Sequence, residues 1–191
     1  MKPLSSPRRL AIGLLLALAS VAGWAQTVQL VTTEGVIRIE LDATAAPKSV
    51  ANFVQYVKAG FYNGTIFHRV IENFMIQGGG FTDKLQQKPT RAPIPLESHN
   101  GLKNVRGSVA MARTNVPDSA TSQFFINTVD NDFLNAENSR DGQGYAVFGR
   151  VIEGMDVVDK IRAAAVENHG MFQNIPSKPI IITKAILEPQ S

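Results

Sequence analysis

The chain has 191 residues, 44% hydrophobic and 18% charged, with 19 Lys and Arg against 16 Asp and Glu for a formal net charge of +3. This suits one globular domain with a substantial core and excludes an intrinsically disordered chain. The absence of cysteine excludes disulfides, thiolate catalysis and cysteine-based metal sites.

Lys2, Arg8 and Arg9 precede an apolar run over residues 10–22, and Gly23-Trp24-Ala25 supplies small residues at the −3 and −1 positions of a cleavage site. This is the layout of a secretory signal peptide. At about a dozen residues, the run falls short of the roughly 20 that span a bilayer. Residues 1–25 are therefore expected to be a cleaved leader, with residues 26–191 forming the working domain. Its removal takes away three basic residues and leaves 16 basic against 16 acidic, a neutral balance that offers nothing to nucleic acid.

Residues 28–32 and 36–41 read as strands joined by Thr33-Glu34-Gly35, a hairpin signal. Val50, Phe53, Val54 and Val57 then recur at helical spacing after Pro47, and Gly60 follows as a C-terminal cap. The pattern predicts a helix over 47–59 with one face on the core. Residues 65–80, TIFHRVIENFMIQGGG, are rich in strand formers yet carry Arg69 and Gln77. A guanidinium costs free energy to desolvate unless its charge is answered, so this polar pair either points to water or lines a working surface.

The triple glycine at 78–80 lacks the Lys-Ser/Thr ending of a phosphate loop and reads as a bend where backbones approach closely. Residues 81–106, with Pro89, Pro93, Pro95 and Gly101, show little periodicity. A loop of that length is either a surface excursion held by its own packing or a substrate contact. Residues 107–112, 123–127, 145–152 and 179–187 are short apolar runs, and a second helix fits 155–162 with Val158 and Ile161 inward. Many short strands, two helices and glycine-marked turns predict a mainly β domain, an antiparallel barrel or sandwich with helices at its ends.

His68, His99 and His169 show no metal-ligand spacing, and Ser122 sits in no nucleophile elbow. No metal or cofactor is expected. Five segments in register then become specific: FHRVIENFMIQGGG (67–80), GSVAMAR (107–113), SQFFINT (122–128), FLN (133–135) and YAVFGRVIEGMDVVDKI (145–161). Together they resemble the cyclophilin-type peptidyl-prolyl cis-trans isomerases over about residues 27–188, in particular the bacterial periplasmic members.

The resemblance implies a closed antiparallel eight-stranded β-barrel capped by two α-helices. It implies an enzyme that accelerates rotation about X-Pro bonds without covalent chemistry, acting in the periplasm on unfolded or partly folded polypeptides, most simply as a monomer. It makes Arg69 the catalytic arginine, with Gln77 supporting it. Phe74, Met75, Phe125 and Leu134 match the proline pocket. Ala112, Arg113 and Gln123 match positions along the peptide groove, and His68, Phe133 and Tyr145 complete its surroundings. Phe133 stands where many eukaryotic relatives carry a tryptophan that contacts cyclosporin, Tyr145 where histidine is frequent, and Glu72-Asn73 where Pro-Gly is common. Two other classes compete with this reading: a proline-peptide binding module or holdase chaperone, and a barrel carrying a small hydrophobic ligand. The last needs a hollow interior, against which the many Phe and Ile residues argue.

Overall fold

Strict alternation along two strands, β1 (Gln26–Thr32) and β2 (Gly35–Leu41), puts Val28, Leu30, Ile37 and Ile39 on one fully buried face. In the computed structural model, which describes residues 26–189, these strands pair from Gln26↔Leu41 to Thr32↔Gly35. The Thr32 hydroxyl fixes the turn: it donates to the Gly35 carbonyl at 2.7 Å and accepts from the Glu34 and Gly35 amides at 3.1 Å. Residues 1–25, expected to be a leader, lie outside the described residues.

Helix α1 (Pro47–Lys58) begins at a proline, whose missing N–H is no loss in a first turn. The Glu97 carboxylate accepts from the Lys48 and Ser49 amides at 3.0 and 2.8 Å, so an acid from the long loop caps the helix. Val50, Phe53, Val54, Tyr56 and Val57 are buried against the barrel. The helix ends at Gly60, with φ +63, as its sequence predicts.

The remaining elements are β3 (Thr65–Ile71), β4 (Met75–Thr82), β5 (Ser108–Met111), β6 (Phe124–Asn127), β7 (Val147–Glu153), α2 (Met155–Arg162), β8 (Val166–His169), β9 (Phe172–Pro176) and β10 (Ile181–Leu187). Eight strands close in the order β1-β10-β3-β4-β6-β5-β7-β2, all neighbours antiparallel. The predicted closed barrel with two helices is the fold observed. Closure leaves none of these eight strands as an open edge. Leu30, Ile37, Ile39, Phe67, Phe124 and Phe148 are fully buried in one core with the apolar faces of α1 and α2. This packed interior is the opposite of a ligand-carrying cavity.

The β8–β9 pair is a separate hairpin beside the barrel, and sequence patterning did not reveal it. All four residues of β8 are exposed, so no buried face imposes an apolar alternation to read. Residues 83–106 form a long loop, held partly by its own contacts, with Leu85 N donating to the Thr82 carbonyl and Leu102 N to Asn100 Oδ1, and partly by the barrel and α1. Arg91 N donates to the Tyr56 hydroxyl, Ile94 N to the Ala120 carbonyl and Asn100 Nδ2 to the Val147 carbonyl.

Candidate active site

The pleat sorts five strands into two faces. Val70, Ile76, Ile126, Val109 and Phe148 belong to the barrel core. Their neighbours Met75, Phe125, Ala110 and Val147 belong to a second buried cluster with Leu134, against which Ile71, Phe74, Ala112 and Tyr145 pack. One register row crosses the wall: Arg69↔Gln77, Gln77↔Phe125, Phe125↔Ala110 and Ala110↔Val147. At about 4.8 Å per strand, a cation, an amide and an apolar patch lie side by side on the outer wall.

Arg69 is half-buried, with its guanidinium carbon 5.9 Å from the centroid of the Phe74 ring. Among the described residues no carboxylate lies within ion-pair distance of it, so its charge is left for something that enters the groove. Directly across the ladder, Gln77 Nε2 donates to Gln123 Oε1 at 2.9 Å. Gly80 makes that pair possible, because a Cβ there would sit 2.6 Å from the Gln123 side chain. The expected close approach at the triple glycine is thus part of the site.

Phe133 stacks on Phe74, with centroids 5.5 Å apart, and is 58% exposed. Phe125 meets Tyr145 edge to face at 5.7 Å. Phe74, Met75, Phe125, Leu134 and Tyr145 therefore form one apolar surface with a polar rim at the Tyr145 hydroxyl. Ala112 N donates to the Gln123 carbonyl, holding the next segment beside this patch. Arg113, expected along the groove, is turned to the neighbouring loop: its side chain is only 4% exposed, donates to the Gly144 carbonyl and to Asp141, and lies 4.7 Å from the Tyr145 centroid. It braces the rim from behind.

His68 is 6% exposed, and its Nδ1 has no hydrogen-bond partner. Burial, with the Arg69 charge adding to it, pushes the imidazole down to about 4. The ring is neutral at ordinary pH, so Arg69 carries the charge on this side of the groove.

Sequence reasoning missed the amides behind the patch. Asn131 Nδ2 donates to the Phe74 carbonyl at 2.8 Å and to Asn127 Oδ1 at 2.7 Å, while Asn127 Nδ2 donates to Asn104 Oδ1 and the Ser108 hydroxyl. Asn135 Oδ1 accepts from the Asn104 amide. This network joins the β3–β4 turn to the 3-10 turn at Asp132–Leu134 that carries Phe133 and Leu134. The sequence gives little hint of it: Asn127 ends an apolar run, but Asn104 and Asn131 stand beside charged residues, as surface asparagines do.

The model of the family described as "Cyclophilin type peptidyl-prolyl cis-trans isomerase/CLD" matches residues 27–187. The chain belongs to the cyclophilin family. It is 58% identical over 176 residues to a peptidyl-prolyl cis-trans isomerase of Acinetobacter baylyi, covering 92% of this chain and 93% of that one. To peptidyl-prolyl cis-trans isomerase B of Escherichia coli it is 56% identical over 152 residues, covering 79% and 93%. A Cryptosporidium parvum cyclophilin, solved in the presence of the dipeptide Ala-Pro, superposes with a TM-score of 0.71 at 27% identity, covering 86% of this chain and 99% of that one. Such cover at such identity makes this cyclophilin a peptidyl-prolyl cis-trans isomerase.

Proposed function

We propose that this cyclophilin isomerises X-Pro bonds in exported, still-folding chains, with Arg69 favouring the twisted amide. An X-Pro amide resists rotation because of its partial double bond, with a barrier of about 18–20 kcal/mol. Twisting breaks the conjugation and returns the lone pair to nitrogen, making it a better hydrogen-bond acceptor. A fixed guanidinium aimed at that nitrogen binds the twisted state better than either planar isomer, which is the condition for acceleration. The prolyl ring sits on Phe74, Met75, Phe125 and Leu134, Gln77 and Gln123 orient the substrate backbone beside Arg69, and no proton is transferred.

The observation that carries this reading is the unpaired Arg69 guanidinium 5.9 Å from Phe74, at the edge of a continuous apolar patch. An acceleration of about 10⁵ requires about 7 kcal/mol, at about 1.36 kcal/mol per decade. One charge-assisted hydrogen bond contributes roughly 1.5–3 kcal/mol. Anchoring the ring and excluding water supply the rest.

Export is supported by the leader-like residues 1–25. The test is the refolding of an exported protein whose slow phase is prolyl isomerisation. Catalytic amounts of the processed enzyme should shorten that phase, and the mature form should be recovered from the periplasmic fraction beginning at residue 26. Suppression of aggregation with the slow phase unchanged would instead mark a holdase.

A further inference from the structure

Beyond the proline patch, Arg69 borders a second cavity of about 350 Å³, lined by His68, Arg69, Phe81, Gln123, Met171 and the Phe172-Gln173 pair. Three of these residues come from the β8–β9 hairpin rather than from the barrel. The hairpin is fastened there by an aromatic chain: the His68 ring lies 4.7 Å from Phe81, and Phe81 meets Phe172 edge to face at 5.2 Å. Gly170, at φ +60 in open space, turns the chain tightly at the tip. That turn leaves Met171 89% exposed on the cavity rim.

Met171 is not a lone exposed apolar side chain: it lines the same concave surface as Phe81 and Phe172, and a contiguous apolar patch marks a contact site where a single residue does not. A flexible, polarisable thioether suits contacts with varied apolar partners. The cavity shares Arg69 and Gln123 with the candidate groove, and its walls are apolar at Phe81, Phe172 and Met171. Its polar groups, His68, Gln123 and Gln173, are uncharged, so Arg69 is the single charge in its lining.

Resting on the isomerase reading above, we propose that this cavity is a second side-chain subsite. It takes a large apolar residue of the substrate peptide, with Met171 as the specificity-determining residue. At about 3.3–3.6 Å per extended residue, an occupant that shares Arg69 with the prolyl ring lies within about two positions of proline. The enzyme thereby prefers X-Pro bonds flanked by residues that will later be buried, which are the ones exposed in unfinished chains.

The test is kcat/KM for blocked peptides of equal length around one Ala-Pro bond, with Leu, Phe, Ala or Asp placed in turn at each position within two residues of it. Wild type should prefer Leu or Phe over Ala by about tenfold at one position, equivalent to about 1.4 kcal/mol, as expected for partial burial of such a side chain. Met171→Ser should reduce that ratio to about two, and Met171→Leu should restore it. A flat profile in wild type, a preference for Asp, or a ratio unchanged in Met171→Ser would overturn the subsite while leaving the isomerase reading intact. Failure of wild type to turn over any peptide would remove the isomerase reading, and the subsite with it.

Discussion

At the scale of single residues, adjacent glycines do different work. A Cβ on Gly79, at φ +81, would meet the Tyr62 and Phe124 rings at 2.8 and 2.9 Å inside the core. Gly79→Ala should therefore cost about 1–3 kcal/mol of stability, read from the urea midpoint. The nearest atoms to a Cβ on Gly80 all belong to the Gln123 side chain, which can swing away and lose its bond from Gln77. Gly80→Ala should keep most of the stability and lower kcat/KM by about tenfold, the worth of one hydrogen bond in a preorganised groove.

His68 adds a pH dependence. Its folded value of about 4 lies below the roughly 6.5 of a free imidazole, so across that window the unfolded chain binds a proton that the folded chain refuses. Stability then falls as pH drops from about 6.5 to about 4, by on the order of 3 kcal/mol. His68→Asn should flatten that part of a denaturation-versus-pH curve. Peptide isomerisation by wild type should stay level between about pH 6 and 8, because Arg69 keeps its charge and the reaction moves no proton.

At the scale of elements, the brace behind the rim is the loop over residues 135–144. Arg113 donates to the Asp141 carboxylate and holds it well below the ordinary carboxylate range, with the Gln143 and Gly144 amides adding to the effect. That carboxylate is charged throughout the working pH range. Its contribution is complete above the unfolded value of about 3.9 and is lost only as pH falls below it. Asp141→Ala should raise KM about fivefold with a smaller change in kcat, since the loop positions Tyr145 rather than touching the reacting amide. Faster hydrogen exchange at Gly144 and Tyr145 would accompany it.

Elements also show where sequence reading stops. Strands with one buried face announced themselves, and the misfit of Arg69 and Gln77 on such strands pointed to the candidate groove, because alternation places every second residue on one wall. The β8–β9 hairpin has an exposed first strand and left no pattern. The asparagine network was illegible for another reason: Asn104 and Asn135 meet across 31 residues of chain, and no local spacing encodes that meeting. Arg113 read as a groove residue because its position in a motif says nothing about which way its guanidinium turns.

At the scale of the molecule, the closed barrel provides a stiff wall, and the candidate groove lies on its outside. A packed interior, with Phe53, Phe124 and Phe148 rings within about 6 Å of one another through Phe53, resists the small shifts that would move Arg69 away from the patch. The proposed catalysis depends on that fixed positive charge beside an apolar surface, through its preference for the twisted amide. The most direct test is kcat/KM of Arg69→Ala on a short blocked X-Pro peptide, with near-wild-type circular dichroism and urea midpoint as the measure of an intact fold. Arg69→Ala should lose about 10- to 100-fold or more, as expected for removing one charge-assisted hydrogen bond from the transition state. A folded variant with activity within twofold of wild type would contradict it.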